Sequence, residues 1–213
     1  MTQPINRRVL AAGGLAGGLA FAARAVLAQP VPAAADTGLV RVVIKTGKGQ
    51  ITLDLNVGKA PITAKNFLRY VDTRRFDGSS FYRASPIKDY PNLGIIEGGL
   101  QSNPAKVFKP IAFESTIKTG LSHKDGTISM AADGPGTAQA DFFICAGDQP
   151  SFDADPANPA ANPGFAAFGQ VVDGMDTVRA ILDSPKSEHA RVAIMRGQML
   201  APPVPIISVR RVG

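Results

Sequence analysis

Tryptophan is absent and cysteine occurs once, as Cys145, in a chain of 213 residues. A lone thiol can neither close an intrachain disulfide nor build a cysteine zinc cluster, so neither staple holds this fold. Only two histidines, His123 and His189, are present, without a His-Glu-x-x-His pairing. No ligand set for a catalytic zinc follows from them, and neither a metal nor a cofactor is expected. A Gly-x-Ser-x-Gly elbow is missing, and Gly47-Lys48-Gly49 lacks the spacing of a phosphate loop, which removes the motifs of serine hydrolases and nucleotide enzymes. His123 therefore reads as a turn histidine and Cys145 as a buried strand thiol. Long basic runs are also lacking. The net charge of +6 owes much to Arg7, Arg8 and Arg24, which lie in residues 1–28 with no acid among them; beyond that segment 20 basic face 17 acidic side chains, a net of +3. Charge so dispersed does not make a nucleic-acid surface, and no nucleic-acid partner is expected.

What remains is 45% hydrophobic, enough apolar surface for one packed domain, with 22 glycines and 17 prolines that favour short strands and turns. The amino terminus has a charged stretch ending in Arg7-Arg8, an apolar run from Val9 to Ala23, and small residues up to Ala28. This is the layout of a secretory signal peptide, and the run falls short of the roughly 20 apolar residues of a membrane span. Asn6-Arg7-Arg8-Val9-Leu10 matches a twin-arginine signal in part. The expected organisation is a signal peptide over 1–28, a flexible leader over 29–37 and one domain over 38–213. The location is then periplasmic or secreted, with membrane contact only through an uncleaved signal segment.

Within the domain, β-rich runs at Leu39–Thr46 and Gln50–Leu55 flank a glycine turn and predict a hairpin. Ala64, Phe67, Leu68 and Val71 recur at helical spacing after Pro61, up to a break at Asp77-Gly78, and a second helix fits Met175–Leu182. Short apolar runs at 80–82, 94–96, 127–131, 142–145, 167–172 and 206–212 predict further strands. Asp148–Gly164, crowded with Pro, Asn and Asp, predicts a surface loop. Many strands with two helices argue for an antiparallel barrel or sandwich.

Three ordered blocks are more specific. Phe81-Tyr82-Arg83 ends an aromatic strand; Gly126-Thr127-Ile128-Ser129-Met130-Ala131 runs on through Gly134-Pro135-Gly136-Thr137 to Phe142-Phe143-Ile144-Cys145; Phe168-Gly169-Gln170-Val171-Val172-Asp173-Gly174-Met175 precedes the second helix. Together they resemble the cyclophilin family of peptidyl-prolyl cis-trans isomerases, in its bacterial exported branch. The resemblance implies a mainly β fold, a closed eight-stranded antiparallel barrel capped by two α-helices, with an outer groove for a proline-containing peptide. It implies Arg83 as the catalytic residue and Phe143 as the floor of the proline pocket, with Phe142 in the core. Substrate contacts carried over from the family fall on Phe81, Ile95, Glu97, Met130, Ala131, Ala132, Asp141 and Phe165. The chain departs from the family pattern at several of these. Gly94, Ile95 and Glu97 stand where Phe, Met and Gln are usual, Ala132 replaces asparagine, Asp141 replaces glutamine, and Phe165 replaces histidine. An insertion, Ser85–Leu93, separates Arg83 from Glu97.

The implied function is isomerisation of X-Pro bonds in unfolded exported proteins by a monomer. The alternative is a peptide-binding or chaperone module with weak or no catalysis, and a hydrolase built on His123 is a third reading. A carboxylate at position 97 would form a bidentate ion pair with Arg83, reducing the field of the guanidinium and slowing the reaction.

Overall fold

Alternating side chains build the first hairpin. In β1 (Leu39–Thr46) and β2 (Gly49–Asn56), Val42, Ile44, Ile51, Leu53 and Leu55 are fully buried, while Arg41, Lys45 and Asp54 between them reach solvent. The strands pair from Leu39↔Asn56 to Thr46↔Gly49. Thr46 locks the turn: its Oγ1 accepts from the Lys48 N–H at 3.0 Å and donates to the Gly49 carbonyl at 2.9 Å. The structure, a computed structural model, describes residues 38–190 and 192–212. The expected signal peptide and leader lie outside the described residues.

Seven further strands follow: β3 (Ser79–Ile87), β4 (Tyr90–Gly99), β5 (Thr127–Met130), β6 (Phe142–Ala146), β7 (Ala166–Asp173), β8 (Lys186–Ser187) and β9 (Met199–Arg211). Their order is β1-β2-β7-β5-β6-β4-β3-β9, and β9 pairs back onto β1, which closes an eight-stranded antiparallel barrel. Closure removes the free edges that an open sheet would expose. The two-residue β8 hangs on β9 outside this ring.

Three α-helices occur among the described residues, one more than expected: α1 (Pro61–Asp72), the single-turn α2 (Thr116–Thr119) and α3 (Met175–Leu182). Four residues carry too little periodicity to be read as a helix; Ser115 at the N-cap and the left-handed Gly120 at the C-cap define α2. The first helix stops at Asp72, before the Asp77-Gly78 break. It buries Ala64, Phe67, Leu68, Tyr70 and Val71, and Phe67 meets Phe76, Phe142 and Phe168 at 5.0–5.4 Å between ring centroids. The insertion does not form a separate loop. It prolongs β3 and β4 into a longer hairpin that turns at Lys88-Asp89, with Asp89 in the left-handed region at φ 67°.

Candidate active site

One row of strand pairing assembles the site. Met199 on β9 lies opposite Arg83 on β3, Arg83 opposite Glu97 on β4, Glu97 opposite Phe143 on β6, and Phe143 opposite Ser129 on β5. Residues paired across a sheet share a face. Their sequence neighbours Ala84, Ile96, Phe142 and Ile128 belong to the core, so this row stands on the outer wall of the barrel. Alternation alone thus sends Phe142 inward and Phe143 outward. A register shift between Phe81 and Arg83 sets two residues of β3 against one of β4. Tyr82 and Arg83 both reach the outer cleft as a result.

That cleft, of about 620 Å³, is lined by Arg83, Ile95, Glu97, Ala131, Ala132, Asp141, Phe143 and Phe165, among others. Two expected contacts are not brought there. Phe81 is fully buried and packs edge-on against Phe142 at 5.7 Å, because it precedes the bulge and points inward; Tyr82 takes its place at the cleft. Met130 is 1% exposed, packs in the core and reaches a neighbouring hollow instead.

The guanidinium of Arg83 is fixed from two sides. Its Nε and Nη2 donate to Gln198 Oε1 at 2.9 and 2.6 Å, and its Nη1 donates to Glu97 Oε2 at 2.8 Å. The other oxygen of Glu97 accepts from the Tyr82 hydroxyl at 2.9 Å, so the ion pair is not the bidentate one expected from sequence. Gln198 is held in turn, its Nε2 donating to the Ile194 carbonyl at 3.0 Å and its own carbonyl accepting from the Ala84 N–H at 2.8 Å. Burial, then the charges of Glu97 and Asp141, push the Tyr82 phenol well above its ordinary range, so its proton stays on the hydrogen bond to Glu97. Asp141 uses both oxygens on the backbone, accepting from Gln101 and Ser102 N–H at 2.7 and 2.9 Å; both donors sit in the left-handed region.

The floor is aromatic. Phe143 meets Phe152 and Phe165 edge-to-face at 5.5 and 5.3 Å, and those two meet each other at 5.5 Å. His123 stacks on Phe143 at 5.8 Å with 15° between the planes. It is buried at 1% exposure, and its Nδ1 lies 2.6 Å from Asp153 Oδ1 and its Nε2 2.9 Å from Ser129 Oγ. A carboxylate only accepts, so Nδ1 carries the proton and Nε2 of the neutral ring accepts from the serine. The residue types are those of a hydrolase triad, yet Ser129 is fully buried and no substrate carbonyl reaches it. The group is a support for Phe143. Cys145, one pair along β6, is buried as expected, and burial pushes its thiol up to about 12.

Sequence reasoning missed Gln198, Met199 and Phe152. Gln198 is 115 residues from its partner and carries no local signal. Phe152 had one, an isolated aromatic in a Pro/Asn/Asp-rich loop, where exposure alone would not retain it.

Residues 41–210 match the family model described as cyclophilin type peptidyl-prolyl cis-trans isomerase/CLD. The chain belongs to this family. It is 33% identical over 168 residues to a peptidyl-prolyl cis-trans isomerase of Acinetobacter baylyi, covering 78% of this chain and 82% of that one. It is 30% identical over 165 residues to the isomerase cyp18 of Streptomyces antibioticus, covering 77% and 92%. The barrel superposes on a solved cyclophilin-type isomerase of Cryptosporidium parvum with a TM-score of 0.63 at 20% identity, over 82% of this chain and 98% of that one. This cyclophilin is accordingly an isomerase of peptidyl-prolyl bonds, and it needs from its cleft a place for a proline and a donor beside it.

Proposed function

We propose that Arg83 carries the reaction, on proline-containing segments of proteins folding outside the cytoplasm. An X-Pro amide resists rotation by about 18–20 kcal/mol because the nitrogen lone pair is delocalised into the carbonyl. As the bond twists, that pair localises on nitrogen and can accept a hydrogen bond. Three of the five N–H donors of Arg83 are spent on Gln198 and Glu97. One on Nη1 and one on Nη2 are left for a substrate, on a group that cannot drift. Phe143, Phe152 and Phe165 offer the pyrrolidine ring an apolar seat. Donors fixed in advance stabilise the twisted state without reorganising. No nucleophile is required. The observation that carries this reading is the placement of a fixed guanidinium and an aromatic floor in one cleft. A second Cryptosporidium parvum cyclophilin structure, TM-score 0.62, was determined in the presence of the dipeptide Ala-Pro, which supports a prolyl ligand for the corresponding cleft here.

Protease-free exchange NMR on a proline tetrapeptide tests the role of Arg83. Arg83→Ala should lower kcat/KM by about 100-fold or more, and Arg83→Lys should not restore it, because a lysine cannot hold Gln198 and Glu97 while reaching the nitrogen. Full activity in Arg83→Ala would reject the assignment. The ion pair with Glu97 favours one other reading, a peptide-holding module with slow turnover; retained peptide binding with wild-type exchange no faster than Arg83→Ala would select it. Export rests on Arg7-Arg8, the apolar run and the small residues up to Ala28. The intact mass of protein recovered from the periplasm should show a chain beginning at Gln29; a full-length chain confined to the cytoplasm would overturn the location.

A further inference from the structure

Next to the cleft lies a smaller hollow of about 210 Å³. Phe113, Met130, Ala138, Pro163 and Ala166 line it, and Ala132, Asp133 and Phe165 border both spaces. The two therefore adjoin, with these three residues between them. The outer wall is preformed. It ends the 148–164 loop, which folds back on itself through Asp155 N–H to the Asn162 carbonyl at 3.0 Å and Phe165 N–H to the Phe152 carbonyl at 2.9 Å. Gly164 (φ 66°) packs so closely on this loop that a Cβ there would lie 2.5 Å from the Ala154 nitrogen. The hollow has no cation in its lining, and its polar side chains, Asp133 and Asn162, leave the interior apolar. Nothing in the action of Arg83 uses it.

We infer that this hollow is a specificity subsite, which receives one apolar side chain flanking the proline of the bound peptide. The inference rests on the isomerase reading of the main cleft. An aliphatic or aromatic side chain fits the chemistry, since apolar cavities of about 150 Å³ already take a benzene ring. Preformed walls mean that little ordering is needed when the side chain enters. The substrate class is thus a prolyl segment with leucine, methionine or phenylalanine close to the proline, as in the unfolded core of another protein.

The test compares tetrapeptides carrying Leu or Ala at each position flanking the prolyl bond. The wild-type chain should prefer Leu over Ala by about tenfold in kcat/KM at one position, the size expected for filling an apolar pocket. Two fillings address the hollow from different walls: Gly134→Leu, where an added Cβ meets no atom within 4 Å, and Ala138→Met. In each variant the Leu-to-Ala ratio, internal to that variant, should fall towards one. A wild-type ratio near one at every position, or an unchanged ratio in both folded variants, overturns the subsite. A second readout does not need turnover. Methyl resonances of Met130, Ala138 and Ala166 should shift with the Leu peptide and not with the Ala peptide. If no peptide is turned over but those methyls shift, the isomerase reading falls and the subsite stands; if peptides are turned over and the methyls stay still, the reverse holds.

Discussion

Glu97 has a small footprint and a large consequence, because it decides what charge the substrate meets at Arg83. A carboxylate 2.8 Å from Nη1 holds the guanidinium and also opposes its field, and both groups are largely withdrawn from water, with side chains 12% and 21% exposed. Only the part of the field that acts on the twisted amide affects rate. Glu97→Gln keeps an oxygen for Arg83 and an amide for the Tyr82 hydroxyl while removing the charge. The expected outcome is a rise in kcat/KM of about three- to tenfold, equivalent to about 0.7–1.4 kcal/mol of barrier. An ultraviolet titration serves as the internal check, since loss of the Glu97 charge lets the Tyr82 phenol move down towards its ordinary range while burial still holds it high. Equal or lower activity with an intact fold would show that the charge does not restrain the reaction.

At the scale of elements, the start of α1 shows how distant sequence completes local structure. Ala60 at its N-cap offers no side-chain acceptor and its first turn has no acid. Glu114, 51 residues beyond Thr63 and 1% exposed, supplies both: its Oε2 accepts from the Thr63 N–H at 2.8 Å and from the Thr63 hydroxyl at 2.7 Å. Glu114→Ala should cost about 2–3 kcal/mol in urea unfolding, from a lost cap and two stranded donors, with Glu114→Gln intermediate. A loss below about 0.5 kcal/mol would mean the helix finds another cap. No local pattern announces such a partner. Alternation made the β1–β2 hairpin legible, and the ordered motifs made Arg83 and Phe143 legible. The 85–93 segment stands as an insertion against the family pattern, and it continues the β3–β4 ladder, which its Pro86 and Pro91 gave no sign of. Likewise β9 starts at Met199, well before the apolar run at 206–212, since Pro202, Pro203 and Pro205 mask it. Pairing of β3 with β9 jumps from Arg83↔Met199 to Phe81↔Val204, and prolines are tolerated where a ladder is irregular. Gln198 stands just before this strand, its carbonyl accepting from the Ala84 N–H, and no pattern in the sequence marks it.

The molecule as a whole closes on its last strand, and acid should open it in two stages. Arg210 and Arg211 near the end of β9 form paired hydrogen bonds with Asp77 and Asp72, and Arg41 does the same with Asp54. Hydrogen bonds from the arginines hold all three carboxyls below the usual range. They favour folding above the ordinary carboxylate pKa of about 3.9, and that contribution is lost as pH falls through the lowered folded values. In each pair the arginine reaches solvent, so each is individually weak. His123 acts earlier and in a different way. Burial moves its pKa down, with Asp153 pulling against this, so the unfolded chain takes up a proton first as pH falls below about 6.5. Stability is therefore full at neutral pH and declines between about pH 6.5 and the lowered folded value, with a slope of at most about 1.4 kcal/mol per pH unit. Above about pH 5 the carboxylates are still ionised, which isolates the histidine there. Protonation would also turn Nε2 from acceptor to donor towards Ser129, on the support behind Phe143. Urea midpoints measured from pH 7.5 to 4.5 should fall for the wild-type chain below pH 6.5. His123→Gln, which can still donate to Asp153 but does not titrate, should start lower at pH 7.5 and stay level until the carboxylate range. A wild-type midpoint that holds steady down to pH 5, or a variant that declines with the same slope, would remove His123 as the origin of the first stage.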